Sequence, residues 1–129
     1  MSKSKTSKFR SGLEERIAKQ LEDLGVDYDY ETQVIRYKKP EQLSRYTPDF
    51  FLPNGIIIEG KGQFLTSDRK KHRLIREQFG DKYDIRFVFS NPNQRIGKKS
   101  KTRYRDWCER YGFKWAHLEI PKDWIEENA

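Results

Sequence analysis

Cysteine is almost absent from this sequence: Cys108 is the only one, so no disulfide can form within the chain. No apolar run approaches the about 20 residues that a membrane-spanning helix needs. The N-terminus also lacks the apolar core of a signal peptide. We therefore expect a protein of a reducing, cytosolic compartment that has no contact with a membrane.

Apolar residues are also few. They make up 34% of the 129 residues, whereas charged residues make up 36%. This length suits a single domain, and its apolar share predicts a modest core for a lone monomer. Aromatic residues, at 14%, partly compensate because each buried ring removes a large area from water. A dimer that shares its core would help further.

Acidic residues are outnumbered, which leaves a net charge of +7. The simplest partner for this balance is a polyanion, while the alternative is that the charge serves solubility alone. Clustering favours the polyanion. The first ten residues contain no acid, and their basic residues are Lys3, Lys5, Lys8 and Arg10. A second basic group consists of Lys98, Lys99, Lys101, Arg103 and Arg105.

The pattern of apolar residues and turn formers predicts an α/β (α+β) fold, a mixed β-sheet flanked by helices. We predict a disordered basic tail over 1–8, a polar connection with Pro40 over 38–45, and a basic loop over 91–101. Helices are predicted over 11–24, 67–79 (started by Thr66 or Ser67), 102–111 (started by Thr102) and 121–125. Strands are predicted over 28–30, 33–37, 50–52, 56–62, 84–90 and 113–116.

A β-hairpin over 46–61 is the strongest local prediction. Pro53, Asn54 and Gly55 suit a tight turn, and β-forming residues lie on both sides of it. The apolar run on each side predicts strands that are covered on both faces. A three-residue loop pairs Phe50 with Ile58 and places Asp49 opposite Glu59.

Two carboxylates opposite each other in a sheet are destabilising unless a cation lies between them. Lys61 lies two residues after Glu59 and so points to the same face. Asp49, Glu59 and Lys61 thus predict a site for a hard divalent ion beside a basic group. The alternative is a strand-edge aspartate after Pro48, with the glutamate and the lysine in solvent.

Several other candidate site residues can also be explained by a purely structural role. Glu14 follows Ser11 in a helix-capping pattern, and nothing local shows that it binds a metal. His72 lies in a basic helical segment, where a surface position is commoner than a catalytic one. Cys108 and the three tryptophans suit a core.

Several segments closely resemble the phage endonuclease I family, the Holliday-junction resolvases of podoviruses. These segments are Phe9-Arg-Ser-Gly-Leu-Glu14, Tyr46-Thr-Pro-Asp-Phe50, Leu52-Pro-Asn-Gly-Ile56, Glu59-Gly-Lys-Gly62, Asp68-Arg-Lys-Lys-His72 and Leu74-Ile-Arg-Glu-Gln78. Their order and spacing are kept from about Phe9 to Ile125. The resemblance implies a restriction-endonuclease-like core over 46–129 that cuts four-way and other branched DNA and leaves 5′-phosphate ends. It also implies a cytoplasmic location in an infected bacterial host.

The resemblance further implies a homodimer that exchanges the N-terminal segment 9–37 between subunits. Glu14 would come from one subunit, and Asp49, Glu59 and Lys61 from the other. Two Mg²⁺ ions are expected, with Mn²⁺ as a substitute and no small-molecule cofactor. Asp49 and Glu59, helped by the Gly60 carbonyl, would bind one ion, and Asp49 and Glu14 the other. Gly60 departs from the family pattern, in which a larger residue is expected.

Basic residues beside the site are expected to contact DNA phosphates. The candidates are Lys5, Lys8, Arg10, Arg69, Lys70, Lys71, His72, Arg76, Lys98, Lys99 and Lys101. A solvated helix face remains the alternative for those in 69–76. Two rival functions also remain: a sequence-specific restriction or mismatch-nicking nuclease, and a basic DNA-binding module whose acids are only structural.

Overall fold

A five-stranded mixed sheet forms the centre of the molecule. The computed structural model describes residues 8–39, 42–80 and 82–128. The sheet order is β1-β4-β5-β6-β7, antiparallel from β1 to β5 and parallel from β5 to β7. The strand bounds are β1 Asp29–Tyr30, β4 Phe50–Phe51, β5 Ile56–Lys61, β6 Asp84–Phe89 and β7 Trp115–His117. The predicted mixed α/β architecture is confirmed, although β7 begins two residues later than expected.

The β4–β5 hairpin has the predicted register, with Phe50 opposite Ile58 and Phe51 opposite Ile57. Gly55 adopts a φ of 90°, which a residue with a Cβ rarely adopts. The Asn54 side chain closes the turn by accepting a hydrogen bond from the Ile56 N–H at 3.1 Å. Turn chemistry therefore sets the register, and the register sets where the two acids lie.

Four helices flank the sheet in the described ranges: α1 Gly12–Asp23, α2 Thr66–Phe79, α3 Tyr104–Tyr111 and α4 Lys122–Glu126. Ser11 caps α1 as predicted, because its Oγ accepts from the Glu14 N–H at 3.1 Å. The predicted caps Thr66, Ser67 and Thr102 are wrong. The caps are Leu65 and Arg103, whose N–H groups donate to the carboxylates of Asp68 and Asp106.

Both faces of the sheet are buried, as the apolar strands predicted. One core contains Ile57 and Phe87 and packs under α2 and α3. The other contains Ile58 and Val88 and packs under α1 and α4. Cys108 is buried in the first core, as expected. No described helix is long and apolar enough to cross a membrane.

The described residues of the connection predicted over 38–45 lie in strands. Strands β2 Ile35–Lys39 and β3 Gln42–Tyr46 pair antiparallel as a second, two-stranded sheet, with Arg36 opposite Arg45. Ile35 and Tyr37 are buried on one face, while Arg36 and Lys38 are exposed on the other. Pro40 lies outside the described residues, as do residues 1–7 of the tail predicted over 1–8. The strand predicted over 33–37 thus corresponds to β2 over 35–37, whereas Lys38 and Lys39 of the predicted connection extend β2 and its residues 42–45 belong to β3.

Candidate active site

Asp49 and Glu59 lie at the open end of the β4–β5 hairpin and bind each other's backbone. Glu59 Oε2 accepts from the Asp49 N–H at 3.0 Å, and Asp49 Oδ2 accepts from the Gly60 N–H at 3.0 Å. The structure gives Gly60 this donor role beside the predicted role of its carbonyl. One oxygen of each carboxylate is thereby bound by a backbone N–H, which fixes the direction of the second oxygen.

Glu14 reaches the same site from the first turn of α1, within one chain. It is 6% exposed, and its Oε1 accepts from the Arg10 N–H at 3.1 Å and from the Tyr30 hydroxyl. The predicted capping role is therefore only half right. The N–H of Glu14 is capped by Ser11, but its carboxylate is turned toward the acids and held by Tyr30.

Glu31 is a fourth acid that the sequence interpretation missed. Ligand oxygens of Glu14, Glu31 and Asp49 all lie within 4.8 Å of one another. Glu31 has a φ of 53°, in the left-handed region that non-glycine residues seldom adopt, and its N–H donates to the Asp49 carbonyl at 3.3 Å. Such outliers cluster at functional sites. Its Oε2 also lies 3.2 Å from Arg10 Nε.

The electrostatics of the site favour the binding of a cation. Burial, and then the charges of Glu59 and Glu14, raise the pKa of Asp49 to about 8. Burial also raises the pKa of Glu59, against the opposing effects of Lys61 and the Tyr46 hydroxyl. The protein alone therefore does not stabilise all of these carboxylates in their charged form at neutral pH.

Lys61 lies beside the acids, as predicted. Its Nζ is 3.8 Å from Glu59 Oε1 and 3.5 Å from Asp68 Oδ1, and its side chain is 16% exposed. Burial lowers the pKa of Lys61, but Glu59, Asp68 and Asp49 outweigh it, so the pKa is raised. Lys61 is therefore an ammonium ion that can donate but cannot accept a proton. Asp68 is a second partner that the sequence interpretation did not assign.

His72 is not on the surface, which corrects its prediction as a DNA contact. It is fully buried, and its ring lies edge-on to Tyr46 and Phe87 at centroid distances of 5.1 and 4.9 Å. Burial keeps its pKa well below the usual range. The Tyr46 hydroxyl in turn donates to Glu59 Oε2 at 2.7 Å. His72 thus packs the ring that positions Glu59.

The other predicted DNA contacts lie at both ends of α2, in the segment before α1 and in the loop before α3. Lys70 is exposed, and Lys71 is half-buried with its Nζ 5.4 Å from the Tyr46 ring centroid. Arg69 is tied to the Phe64 carbonyl and to Thr66. Arg76 lies near the other end of α2, over Phe113. Exposed positions are also held by Lys8, Arg10, Lys98, Lys99 and Lys101, whereas Lys5 lies outside the described residues.

The donor set fits a hard divalent ion. Glu14, Glu31 and Asp49 offer only oxygen, which suits Mg²⁺. The raised pKa of Asp49 also favours a cation site, since a bound cation would replace the proton that this carboxyl otherwise retains. The predicted pairing of Asp49 with Glu14 matches this cluster, and Glu59 adjoins it through its bond to the Asp49 N–H.

Comparison with known proteins gives the site its context. A family model described as Phage endonuclease I matches residues 1–129. The chain belongs to the phage endonuclease I family. It is 48% identical over 123 residues to Endonuclease I of Escherichia phage T7, covering 95% of this chain and 82% of the relative. It is 50% identical over 119 residues to Endodeoxyribonuclease 1 of Enterobacteria phage T3, covering 92% and 78%.

A shorter match reaches beyond phages. Uncharacterized protein L539 of Acanthamoeba polyphaga mimivirus is 42% identical over 62 residues, which is 46% of this chain and 21% of that protein. Membership of the phage endonuclease I family makes the chain an endonuclease, and hence a hydrolase. The predicted resemblance is confirmed over the whole chain.

Proposed function

We propose that this phage endonuclease I cuts DNA, with a preference for four-way junctions and other branches, by magnesium-assisted hydrolysis of phosphodiesters. The observation that carries the proposal is the partly buried acidic cluster of Glu14, Glu31 and Asp49, adjoined by Glu59 and Lys61. The T3 relative, named as an endodeoxyribonuclease, supports DNA as the substrate. The reaction would take place in the cytoplasm of an infected host.

Glu14, Glu31, Asp49 and Glu59, with the Gly60 carbonyl, are the residues that would hold one or two Mg²⁺ ions. Bound Mg²⁺ supplies charge stabilisation at the phosphoryl oxygens and lowers the pKa of a coordinated water. The protein's own contribution is orientation. Glu14 and Glu59 each have one oxygen fixed by a tyrosine hydroxyl and a backbone N–H, which holds the other oxygen in place.

Lys61 would orient the attacking water and offset the negative charge that develops on phosphorus. The raised pKa of Lys61 supports this role and argues against a role as general base, because the side chain stays protonated. Removing a preorganised charge or donor of this kind costs about 10²–10³ in rate. In-line attack would leave a 5′-phosphate and a 3′-hydroxyl.

A cleft of about 420 Å³ beside the site suits a DNA backbone. Lys39, Lys70 and Lys71 line it, together with Asp68. Phosphate contacts position DNA without reading its bases, so junction choice would follow the shape of the substrate. The loop that carries Lys98, Lys99 and Lys101 would contact a second arm.

A homodimer that exchanges 9–37 remains part of the proposal. β2 and β3 pair antiparallel over five residue pairs, from Lys39 opposite Gln42 to Ile35 opposite Tyr46. The same antiparallel register can therefore form within one chain or between two chains related by a two-fold axis. Exchange would bring Glu14 of one subunit to Asp49 and Lys61 of the other and place two sites on one junction.

The decisive experiment compares cleavage of a four-way junction with cleavage of a linear duplex of the same arm sequences, with and without Mg²⁺. The expected result is magnesium-dependent cutting that favours the junction, with products that a ligase can rejoin. Lys61→Ala should lose about 10²–10³ in rate. The control Lys19→Ala, an exposed lysine on the outer side of α1, should keep it.

Each rival makes a different prediction in this assay. Preferential cutting of one sequence in the linear duplex would indicate a restriction-type nuclease. Junction binding without cutting in Mg²⁺ or Mn²⁺ would indicate a DNA-binding module. For the exchange, Glu14→Ala and Lys61→Ala chains refolded together should regain activity, because one site of the heterodimer is then intact. Verified heterodimers without activity would refute it.

A further inference from the structure

The β2–β3 hairpin presents an array of like charges that the site does not use. Arg36 and Arg45 are directly opposite each other, and both are exposed. Lys38 lies two residues after Arg36 and is exposed on the same face. Opposed residues in an antiparallel pair have Cβ atoms about 4.5–5.5 Å apart, and like charges there are destabilising. The arrangement is therefore suited to binding an anion.

No acidic side chain within the described ranges supplies that balance. The ion pairs and side-chain hydrogen bonds between described residues include neither guanidinium group nor the Lys38 ammonium. The opposite face of the hairpin, by contrast, is committed to the core through Ile35 and Tyr37. The exposed face is thus held in place and remains open to a ligand.

The hairpin is held firmly against the nuclease core. The Gln78 side chain of α2 accepts from the Lys38 N–H at 2.8 Å and donates to the Lys38 carbonyl at 2.6 Å. Tyr46, at the end of β3, is buried and hydrogen-bonded to Glu59. These bonds fix the backbone that carries the arginines before a ligand arrives, which reduces the entropic cost of binding.

Both strands of the hairpin lead to the acidic cluster. Arg36 is five residues after Glu31, and Arg45 is four residues before Asp49. At 3.3–3.6 Å per residue, the Cα atoms of each pair are at most about 13–18 Å apart. A DNA strand carries a phosphate about every 3.4 Å along the helix axis. The basic face is therefore a few nucleotides from the scissile position.

We propose that the exposed face of the β2–β3 hairpin, formed by Arg36, Lys38 and Arg45, binds backbone phosphates of the DNA arm that leaves the active site. The inference rests on the proposed function for its ligand, since DNA is the polyanion that the site would hold. It holds equally if β2 and β3 belong to different subunits, because Arg36 and Arg45 then meet across the subunit boundary in the same register.

The test is the salt dependence of DNA binding, measured with EDTA so that the DNA is not cut. Each lost phosphate contact should reduce the log–log slope by about 0.9, so Arg36→Gln with Arg45→Gln should reduce it by about 1.8. Between about 50 and 200 mM salt, wild-type affinity should fall about 12-fold more than that of the double variant. The charge-conserving double variant, Arg36→Lys with Arg45→Lys, should keep the wild-type slope.

The matched control is Lys82→Gln with Arg110→Gln. Both residues are exposed, and their substitutions remove the same charge as those of the arginine double variant. Lys82 lies beside the start of β6, at the opposite end of the sheet from Lys61. The control should leave the slope unchanged. An unchanged slope in the arginine double variant, or an equal change in the control, would overturn the proposal. A change in mass by sedimentation without a change in slope would instead make this face a protein interface.

These outcomes are separable from those of the proposed function. The slope is measured on a linear duplex as well as on a junction, so it reports on the hairpin even if the wild type shows no junction preference. In Mg²⁺ the arginine double variant should need more DNA to reach its half-maximal rate, by the same factor that its binding loses at that salt concentration. Loss of turnover at saturation, in a variant that unfolds normally, would place the arginines in the catalytic site and contradict the proposal.

Discussion

Metal binding at Asp49 should displace a proton, and the structure sets how much. The pKa of Asp49 is raised to about 8 by burial and by the neighbouring charges of Glu59 and Glu14. At pH 7, a carboxyl with this pKa is about nine-tenths protonated, and a bound cation would ionise it. We expect the release of about 0.9 proton at pH 7 from Asp49.

Isothermal titration calorimetry in two buffers of different ionisation enthalpy counts these protons directly. Proton release should fall to about 0.1 from Asp49 at pH 9, where the carboxyl is already ionised. From pH 6 to about 7.5 the apparent affinity for Mg²⁺ should rise nearly tenfold per pH unit, and above pH 8 it should level off. Both trends follow from a single raised pKa in the metal-free protein.

Three variants test the cause. Glu14→Gln removes one charge that raises the pKa of Asp49, so proton release at pH 7 should fall. Asp49→Asn should abolish this contribution altogether. Glu15→Gln, an exposed acid next to Glu14 on α1, should change nothing. Heats that are independent of buffer at pH 7 in the wild type would refute the reasoning, since Asp49 would then be ionised before the metal arrives.

Further predictions concern the groups around the acids. Tyr46→Phe removes the hydroxyl bonded to Glu59 and should lower Mg²⁺ affinity by about 10–100-fold. The control is Tyr104→Phe, at another buried tyrosine, which should keep the wild-type affinity. Equal affinities for the two variants by calorimetry would contradict this prediction. Glu31→Gln should lower Mg²⁺ affinity by at least about tenfold, and wild-type affinity would exclude Glu31 as a ligand. Without metal, the contribution of Asp49 to stability is fully present below its unfolded pKa near 4 and is lost as pH rises to about 8. This contribution is at most about 6 kcal/mol, and chemical denaturation of Asp49→Asn should lack this loss.

The parts of the site that could be predicted were those that local chemistry determines. Turn residues at Asn54 and Gly55 fixed the hairpin register, and the register alone brought Asp49 close to Glu59 and Lys61. Helix starts were less predictable, because Asp68 and Asp106 accept hydrogen bonds from residues three positions earlier and move each cap to Leu65 and Arg103. An aspartate three residues into a helix is a signal that could have been read.

Long-range relations were not predictable in the same way. Only 38–45 was interpreted as a connection, because Pro40 and many charges suggested a loop, yet Lys38 and Lys39 end β2 and Gln42–Tyr46 forms β3. Nothing in the sequence around Glu31 indicates a ligand, since only its left-handed backbone and its contact with Asp49 bring it to the cluster. His72 was misplaced because its neighbours in sequence are basic, whereas its neighbours in space are aromatic rings.

The tyrosines connect these two kinds of information. Tyr30 ends β1 and Tyr46 ends β3, and each donates its hydroxyl to a different glutamate of the site, Glu14 and Glu59. A tyrosine hydroxyl fixes the direction of one carboxylate oxygen, and because the hydroxyl is neutral it adds no charge to the site. Two glutamates, one from α1 and one from β5, can therefore be oriented toward Asp49 even though the cluster is repulsive. The same bonds tie metal affinity to the packing of the β2–β3 hairpin, so a change in that hairpin should reach the chemistry through Tyr46.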